Sequence, residues 1–313
     1  MEFTLIDRIR RRAATRDDVV LGIGDDAALL QPPPGRLLAV ATDTLNIDVH
    51  FPSDTAPADI GWKGLAVNLS DLAAMGARPA WATLSLSLPR PDEAWLDGFL
   101  DGFLALADVH ALALVGGDTT RGPLSVCVTV HGFVAPGSAL RRDGARVGDE
   151  VWVTGTLGDA AAALAQWRAG GAADPALRER LDRPLPRIAT GAALAGIAHS
   201  VIDVSDGLLA DLGHVCAASG VGAEVSLDAL PASPALRSLF SGGALHAVQA
   251  GGGDDYELCF TAPPAMAMAV AALASTDVAL TRIGRIVAGT GVRALRSDGS
   301  EWVPPRAGYS HFP

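Results

Sequence analysis

Six short segments of this sequence set aspartate beside glycine, serine or threonine. They are Gly22-Ile23-Gly24-Asp25-Asp26, Ala41-Thr42-Asp43-Thr44, Asn68-Leu69-Ser70-Asp71, Gly116-Gly117-Asp118-Thr119-Thr120, Asp203-Val204-Ser205-Asp206-Gly207 and Gly252-Gly253-Asp254-Asp255. Carboxylates gathered in this way repel one another unless a cation sits between them. Hard divalent ions with oxygen ligands, Mg2+ above all, are the natural occupants. Glycine beside an acid lets the backbone approach a bulky anion closely. The set predicts a site where several Mg2+ ions hold phosphates.

Each segment also has a plainer reading. Asp25-Asp26 after two glycines suits a tight turn as well as a metal ligand. Asp43, placed at the end of an apolar strand, must be solvated, paired or ligated. Gly116-Gly117-Asp118 reads as a loop whose successive N–H groups can cradle an anion. Asp203 and Ser205 share one side of a strand, and Asp206 opens a turn into a helix that Ser205 or Asp206 could equally cap. The sequence has no Gly-x-x-x-x-Gly-Lys-Ser/Thr loop and no dinucleotide-binding Gly-x-Gly-x-x-Gly with a ribose-binding acid. The histidines form no triad with a Ser or Cys. His110, His131 and His199 read as ordinary buried or solvated residues, whereas His50 stands seven residues beyond Asp43.

The elements that must carry these residues follow from periodicity. Leu5, Ile6 and Ile9 give a short amphipathic helix over 4–11, and 37–42 reads as a buried strand that delivers Asp43. Trp62, Leu65, Leu69 and Leu72 recur at helical spacing over 60–75, with Gly76 closing the helix. Asn68 and Asp71 then lie one turn apart on one face. Residues 81–88, 112–115 and 124–134 read as strands and 92–107 as a helix. The Pro-, Gly- and Arg-rich segment 135–149 is the candidate linker. Beyond it come strands at 151–153, 201–204 and from about Glu224 and Tyr256, with helices after Asp159, over 208–217 and from Pro264. Strand–helix alternation with long alternating strands gives an α/β or α+β protein, in two α/β-type domains over 1–137 and 138–313.

Composition narrows the function classes. A chain of 313 residues suits two domains, and 49% apolar residues suffice for two cores. Net charge −11 and no Lys/Arg stripe argue against nucleic acid. An acidic protein that handles phosphates needs metal as the bridge. Mean hydropathy is +0.29, yet no run supplies about 20 strongly apolar residues for a membrane span. Cys127, Cys216 and Cys259 are far apart, without a zinc or disulfide spacing, and the charged N-terminus lacks a signal-peptide core. A soluble, cytoplasmic protein is expected.

Read together and in order, these segments resemble the thiamine-monophosphate kinase family over essentially the whole chain, from about residue 3 to Gly308-Tyr309-Ser310-His311-Phe312. The carrying motifs are Gly22–Leu30, Ala66–Ala77, Gly116–Pro123, Ile202–Leu208 and Gly252–Leu258. The family belongs to an ATP-using superfamily with aminoimidazole ribonucleotide synthetase and selenophosphate synthetase. The resemblance implies a homodimer whose N-terminal domains contribute strands to a shared barrel, and a C-terminal α/β domain. It implies transfer of phosphate from ATP to thiamine monophosphate with several Mg2+ ions. Position by position, it implies metal ligands Asp26, Thr42, Asp43, Asp71, Asp118, Asp203 and Asp206. It likewise implies ATP contacts at Gly117, Asp118, Arg142 and Ser205, and acceptor contacts at His50, Asp254 and Tyr309. No side chain is implied as a general base.

Two positions depart from the pattern: Ala41 where relatives often carry Ser, and Asp254 where Glu is usual. The first leaves only a backbone carbonyl as a ligand, and the second shortens the reach to substrate. Within the superfamily, selenophosphate synthetase is disfavoured by the lack of an N-terminal Cys. A metal-binding module without catalysis would share the aspartates but show no nucleotide dependence. A phosphohydrolase of the Asp-x-Asp type lacks its motif.

Overall fold

The structure is a computed structural model that describes residues 2–276, 278–305 and 308–310. His311 and Phe312, the end of the C-terminal motif, lie outside the described residues. The chain divides into two compact units, Met1–Leu72 with Ala77–Gly137, and Ala73–Gly76 with Ser138–Pro313. Both mix helices with sheets, and the protein is α+β. Among the described residues no helix is long and apolar enough to cross a membrane.

The first unit runs α1 (Glu2–Arg12), β1 (Val19–Leu21), β2 (Leu29–Leu30), β3 (Leu37–Asn46), α2 (Pro57–Ala74), β4 (Arg78–Leu88), α3 (Glu93–Val109), β5 (Ala113–Arg121) and β6 (Ser125–Val134). Its main sheet has the order β3-β6-β4-β5, antiparallel except for the β4–β5 pair. Val126, Val128 and Val130 of β6 point to one face and are fully buried, as are Leu65, Leu69 and Leu72 of α2 and Leu96, Phe99 and Phe103 of α3. The period of two along the strand and of 3.6 along the helices thus meets in one core. Asp92 caps α3 by accepting the Trp95 N–H at 3.0 Å. The helices approach closely because Gly102 has no side chain. A Cβ there would fall on the Ala58 carbonyl oxygen.

Two expectations for this unit are corrected. The strand read as 37–42 continues to Asn46, so Asp43 sits inside β3 and not at its end. Nor is β3 buried: Leu37, Leu38 and Val40 are about half exposed, and β3 is the edge of its sheet. The segment Gly116-Gly117-Asp118, read as a loop, lies within β5, with the strand register shifting beside Gly116. Gly117 takes φ +145°, and a Cβ would strike the Leu84 carbonyl. Gly117 thus permits a tight parallel pairing of β4 with β5.

The second unit follows an irregular segment at 135–149. It runs β7 (Glu150–Thr154), α4 (Asp159–Arg168), α5 (Pro175–Asp182), α6 (Ile188–Ala193), β8 (Ser200–Asp203), α7 (Leu208–Ser219), β9 (Gly222–Ser226), α8 (Pro234–Leu239), α9 (Gly242–Gly251), β10 (Leu258–Ala262), α10 (Ala267–Ala271), β11 (Leu280–Val287), β12 (Gly291–Leu295) and β13 (Glu301–Trp302). The sheet order is β13-β12-β9-β11-β7-β10-β8, antiparallel except for β12–β9. Leu208, Leu212 and Val215 of α7 pack with Val151, Val153, Ile202, Val225 and Ile283 from the sheet. The alanine run after Pro264 makes only a short 3-10 turn and the brief α10.

Replacing Gly102 by Ala should lower stability by about 1–3 kcal/mol, because the backbone of α2 or α3 must shift to admit the methyl group. Gly98→Ala meets only the Pro57 ring at 3.2 Å and should cost less. Urea unfolding midpoints of the two variants compare them directly; a wild-type midpoint for Gly102→Ala would contradict the close helix approach.

Candidate active site

In the first unit the alternation along β3 sends Asp43 and Thr42 to opposite faces. The Asp43 N–H donates to Asn68 Oδ1 at 2.9 Å, and the fully buried Asn68 donates in turn to the Gly64 carbonyl at 3.0 Å. One helical turn on, Asp71 is half-buried. Asn68 thereby ties the Asp43 backbone to the helix that carries Asp71. The Thr42 hydroxyl instead pairs with Thr129 Oγ1 at 2.8 Å on the other face, so the structure does not bring it to the Asp43 carboxylate. Asp118 is exposed in β5, opposite Ser85. Asp26 is exposed between β1 and β2, its N–H donating to Asp25 Oδ1 at 2.8 Å.

His50 occupies a turn after β3. Its Nδ1 accepts the Asn46 N–H at 3.0 Å, which leaves Nε2 to carry the proton of the neutral ring. Its carbonyl accepts from Lys63 Nζ at 2.9 Å, and Lys63 is a buried lysine on α2.

The second unit gathers more of the expected residues. β8 ends at the buried Asp203, and residues 205–207 turn into α7. Neither Ser205 nor Asp206 caps this helix through its side chain; Gly207 holds that position. Asp211, one turn into α7, takes over instead. Its Oδ2 accepts the N–H groups of Ser205, Asp206 and Gly207 at 3.0, 3.1 and 3.1 Å. Burial pushes the Asp211 carboxyl up to about 7, helped by the Asp203 and Asp206 charges. Three further backbone bonds converge on the same turn. Asp254 N–H donates to the Ser205 carbonyl at 2.8 Å, Tyr256 N–H to the Val204 carbonyl at 2.8 Å, and Tyr309 N–H to the Asp206 carbonyl at 2.9 Å. Asp203, Ser205, Asp206, Asp254 and Tyr309 are therefore assembled around one turn. Tyr309 also lines a groove of about 630 Å3 with Leu209, His214 and Trp302. Arg142 is exposed, its carbonyl accepting from Ser219 Oγ at 3.0 Å.

Beyond Asp254 the segment is fixed by two buried acids. Both Asp255 carboxylate oxygens accept the Gly158 N–H, at 2.9 and 3.0 Å, and burial holds this carboxyl well above its usual range. Glu257 is fully buried and accepts from Arg180 Nη2 at 2.7 Å, Arg187 Nε at 2.6 Å and Thr154 Oγ1 at 2.6 Å. Among the described residues, no three acidic, His or Cys side chains converge closely enough to hold a metal ion by themselves.

The sequence reading missed Asp211, Tyr256, Glu257 and Lys63. Asp211 carried a signal: it falls on the apolar stripe Leu208, Leu212 and Val215, where an acid needs a reason. The same holds for Lys63 among Leu65, Val67 and Leu69. Nothing in the spacing of Glu257 told of Arg180 and Arg187, which lie 77 and 70 residues earlier.

The two-unit architecture and its acidic turns define a class. Residues 24–134 match AIR synthase related protein, N-terminal domain, and residues 146–296 match AIR synthase related protein, C-terminal domain. At finer scale, thiamine-monophosphate kinase of Salmonella typhimurium is 48% identical, with 99% of this chain and 98% of that protein covered. The crystal structure of thiamine-monophosphate kinase from Stenotrophomonas maltophilia superposes with a TM-score of 0.89 at 57% identity, covering 96% of this chain and 98% of that one. AaThiL complexed with AMPPCP and TMP superposes with a TM-score of 0.79 at 31% identity, covering 99% and 97%. The chain belongs to the thiamine-monophosphate kinase family, whose members are phosphotransferases.

Because Asp211 serves three N–H groups at once, Asp211→Ala should lower unfolding free energy by about 1–3 kcal/mol. Asp211→Asn retains an acceptor oxygen and should keep most of that stability. Chemical denaturation of both variants decides the matter; an Ala variant as stable as the wild type would show the turn holds without this side chain.

Proposed function

We propose that this chain transfers the γ-phosphoryl group of ATP to the phosphate of thiamine monophosphate, giving thiamine diphosphate and ADP. The carrying observation is the single turn that assembles Asp203, Ser205, Asp206, Asp254 and Tyr309, in a chain whose full length follows a relative complexed with AMPPCP and TMP. In this reading Ser205, Gly117, Asp118 and Arg142 meet ATP, and His50, Asp254 and Tyr309 meet the acceptor. The nucleophile is a phosphate oxygen, largely ionised near neutral pH. No side chain need remove a proton from it, so no general base is assigned.

The difficulty is electrostatic. Two unit charges 4 Å apart repel by about 4 kcal/mol at an effective dielectric near 20, and two phosphate chains present several such pairs. The donors suit Mg2+, being carboxylates and a main-chain carbonyl without thiolate or imidazole. Burial first, and then the Asp203 and Asp206 charges, lift the Asp211 carboxyl, which supports a reading in which cations offset the acids of this turn. Asp26, Asp43, Asp71, Asp118, Asp203 and Asp206 would hold the ions; Thr42, its hydroxyl turned to Thr129, would contribute through its main-chain carbonyl. Bound Mg2+ supplies the charge neutralisation that lets acceptor and donor phosphates approach in line. The protein's part is to fix the carboxylates beforehand: Asn68 sets the Asp43 backbone and Asp211 sets residues 205–207.

A homodimer belongs to the same reading. Leu38 and Val40 lie on the uncovered face of the edge strand β3, and burying that face against a second copy removes apolar surface from water. A cytoplasmic setting accords with three free cysteines.

With ATP, Mg2+ and thiamine monophosphate, purified protein should form ADP and thiamine diphosphate in equal amounts. Chelation of the metal should abolish both. ADP without thiamine diphosphate would point to another acceptor. Asp203→Asn should cut turnover at least about a hundredfold while unfolding at the wild-type midpoint; full activity would remove Asp203 from the metal set. Val40→Glu should convert the dimer to monomer in light scattering, and an unchanged mass would place the interface elsewhere.

A further inference from the structure

The segment Gly253–Glu257 is unusual in its backbone. Asp254 takes φ +68° and Tyr256 φ +49°, both left-handed and neither a glycine. A left-handed aromatic residue is uncommon and strained, and it persists only where its surroundings dictate it. Here they do. The N–H groups of both residues bond to the Ser205 and Val204 carbonyls just beyond β8, and Asp255 between them is locked to the Gly158 N–H. The geometry turns the Tyr256 ring, 7% exposed, back over its own segment, where its hydroxyl donates to Asp254 Oδ1 at 3.1 Å. A strained conformation held from three sides, whose product is one hydroxyl placed on one carboxylate, calls for a functional explanation.

We propose that Tyr256 is a positioning residue for the acceptor site: it fixes one oxygen of Asp254 and thereby sets the direction in which the carboxylate meets the substrate. The inference rests on the reading that Asp254 contacts thiamine monophosphate. That substrate carries a cationic thiazolium ring and an aminopyrimidine, and a carboxylate of fixed orientation complements a cation or an N–H donor. A free aspartate would have to lose its rotamer freedom on binding, whereas a tethered one has lost it already. Tyr256 itself need not touch the substrate, and ATP should be indifferent to it.

The test is a double-mutant cycle on the full-length enzyme with Tyr256→Phe and Asp254→Asn. Tyr256→Phe keeps the ring and removes only the hydroxyl. It should raise KM for thiamine monophosphate about tenfold, with kcat and the KM for ATP within about twofold. Asp254→Asn should raise the same KM at least as much. The double variant should be no worse than Asp254→Asn alone, because Tyr256 acts through that carboxylate. Additive losses, or a Tyr256→Phe enzyme with wild-type KM, would overturn the proposal while leaving Asp254 in the site. A wild-type KM in Asp254→Asn would overturn both this inference and the acceptor reading beneath it. A KM rise accompanied by a lowered unfolding midpoint in Tyr256→Phe, with equal losses for ATP, would mark the hydroxyl as merely structural and likewise refute it.

Discussion

One buried carboxylate oxygen accepting three consecutive peptide N–H groups is the constraint on which the second unit's chemistry turns. Asp211 does this from the first turn of α7, and in doing so dictates the path of residues 205–207. That path exposes the carbonyls of Val204, Ser205 and Asp206, and each of the three is taken by a different residue of the site: Tyr256, Asp254 and Tyr309. A turn built otherwise would scatter them. The electrostatic tension is evident, since the acid doing the organising is lifted first by its burial and then by the neighbouring Asp203 and Asp206 charges. Preorganisation of this kind places like charges together during folding.

The same logic, weaker in degree, runs through the first unit. Asn68 holds the Asp43 backbone with its amide oxygen and a helical carbonyl with its amide nitrogen, a neutral bridge between strand and helix. Its complete burial makes both bonds worth keeping, because a buried amide without partners is costly. The acidic side chains of this unit remain largely solvated at Asp26 and Asp118.

Much of this was legible in the residues. The helix of Leu65, Leu69 and Leu72 and the strand of Val126, Val128 and Val130 announce themselves because each face has one period and one neighbour. β3 was misjudged because its leucines and valine look like core, while an edge strand lacking cover follows from topology, which spacing cannot supply. Gly116-Gly117 was read as a loop for a related reason: glycines that open a turn and glycines that permit a neighbouring strand to approach are the same letters. At the site, the aspartates beside glycine stood out, but the residues that hold them did not. Asp211 was hidden in a helix that otherwise reads as apolar, and the partners of Glu257 lie too far along the chain for any local pattern to join them. Long-range ion pairs leave no periodicity.

The buried cluster around Glu257 has a consequence for how this protein can change. Glu257 engages Arg180, Arg187 and Thr154, while Thr154 Oγ1 also accepts the Leu258 N–H at 2.8 Å. A strand shifted by one residue would turn Glu257 to the opposite face and strand two guanidinium groups without their acid. The start of β10 is thereby indexed to a single register, and with it the count of residues back to Asp254. Side chains in this loop can be exchanged one for another over time, but the loop cannot be lengthened or shortened even by one. Natural variation here should consist of substitutions alone, with insertions confined to the far ends of the neighbouring helices.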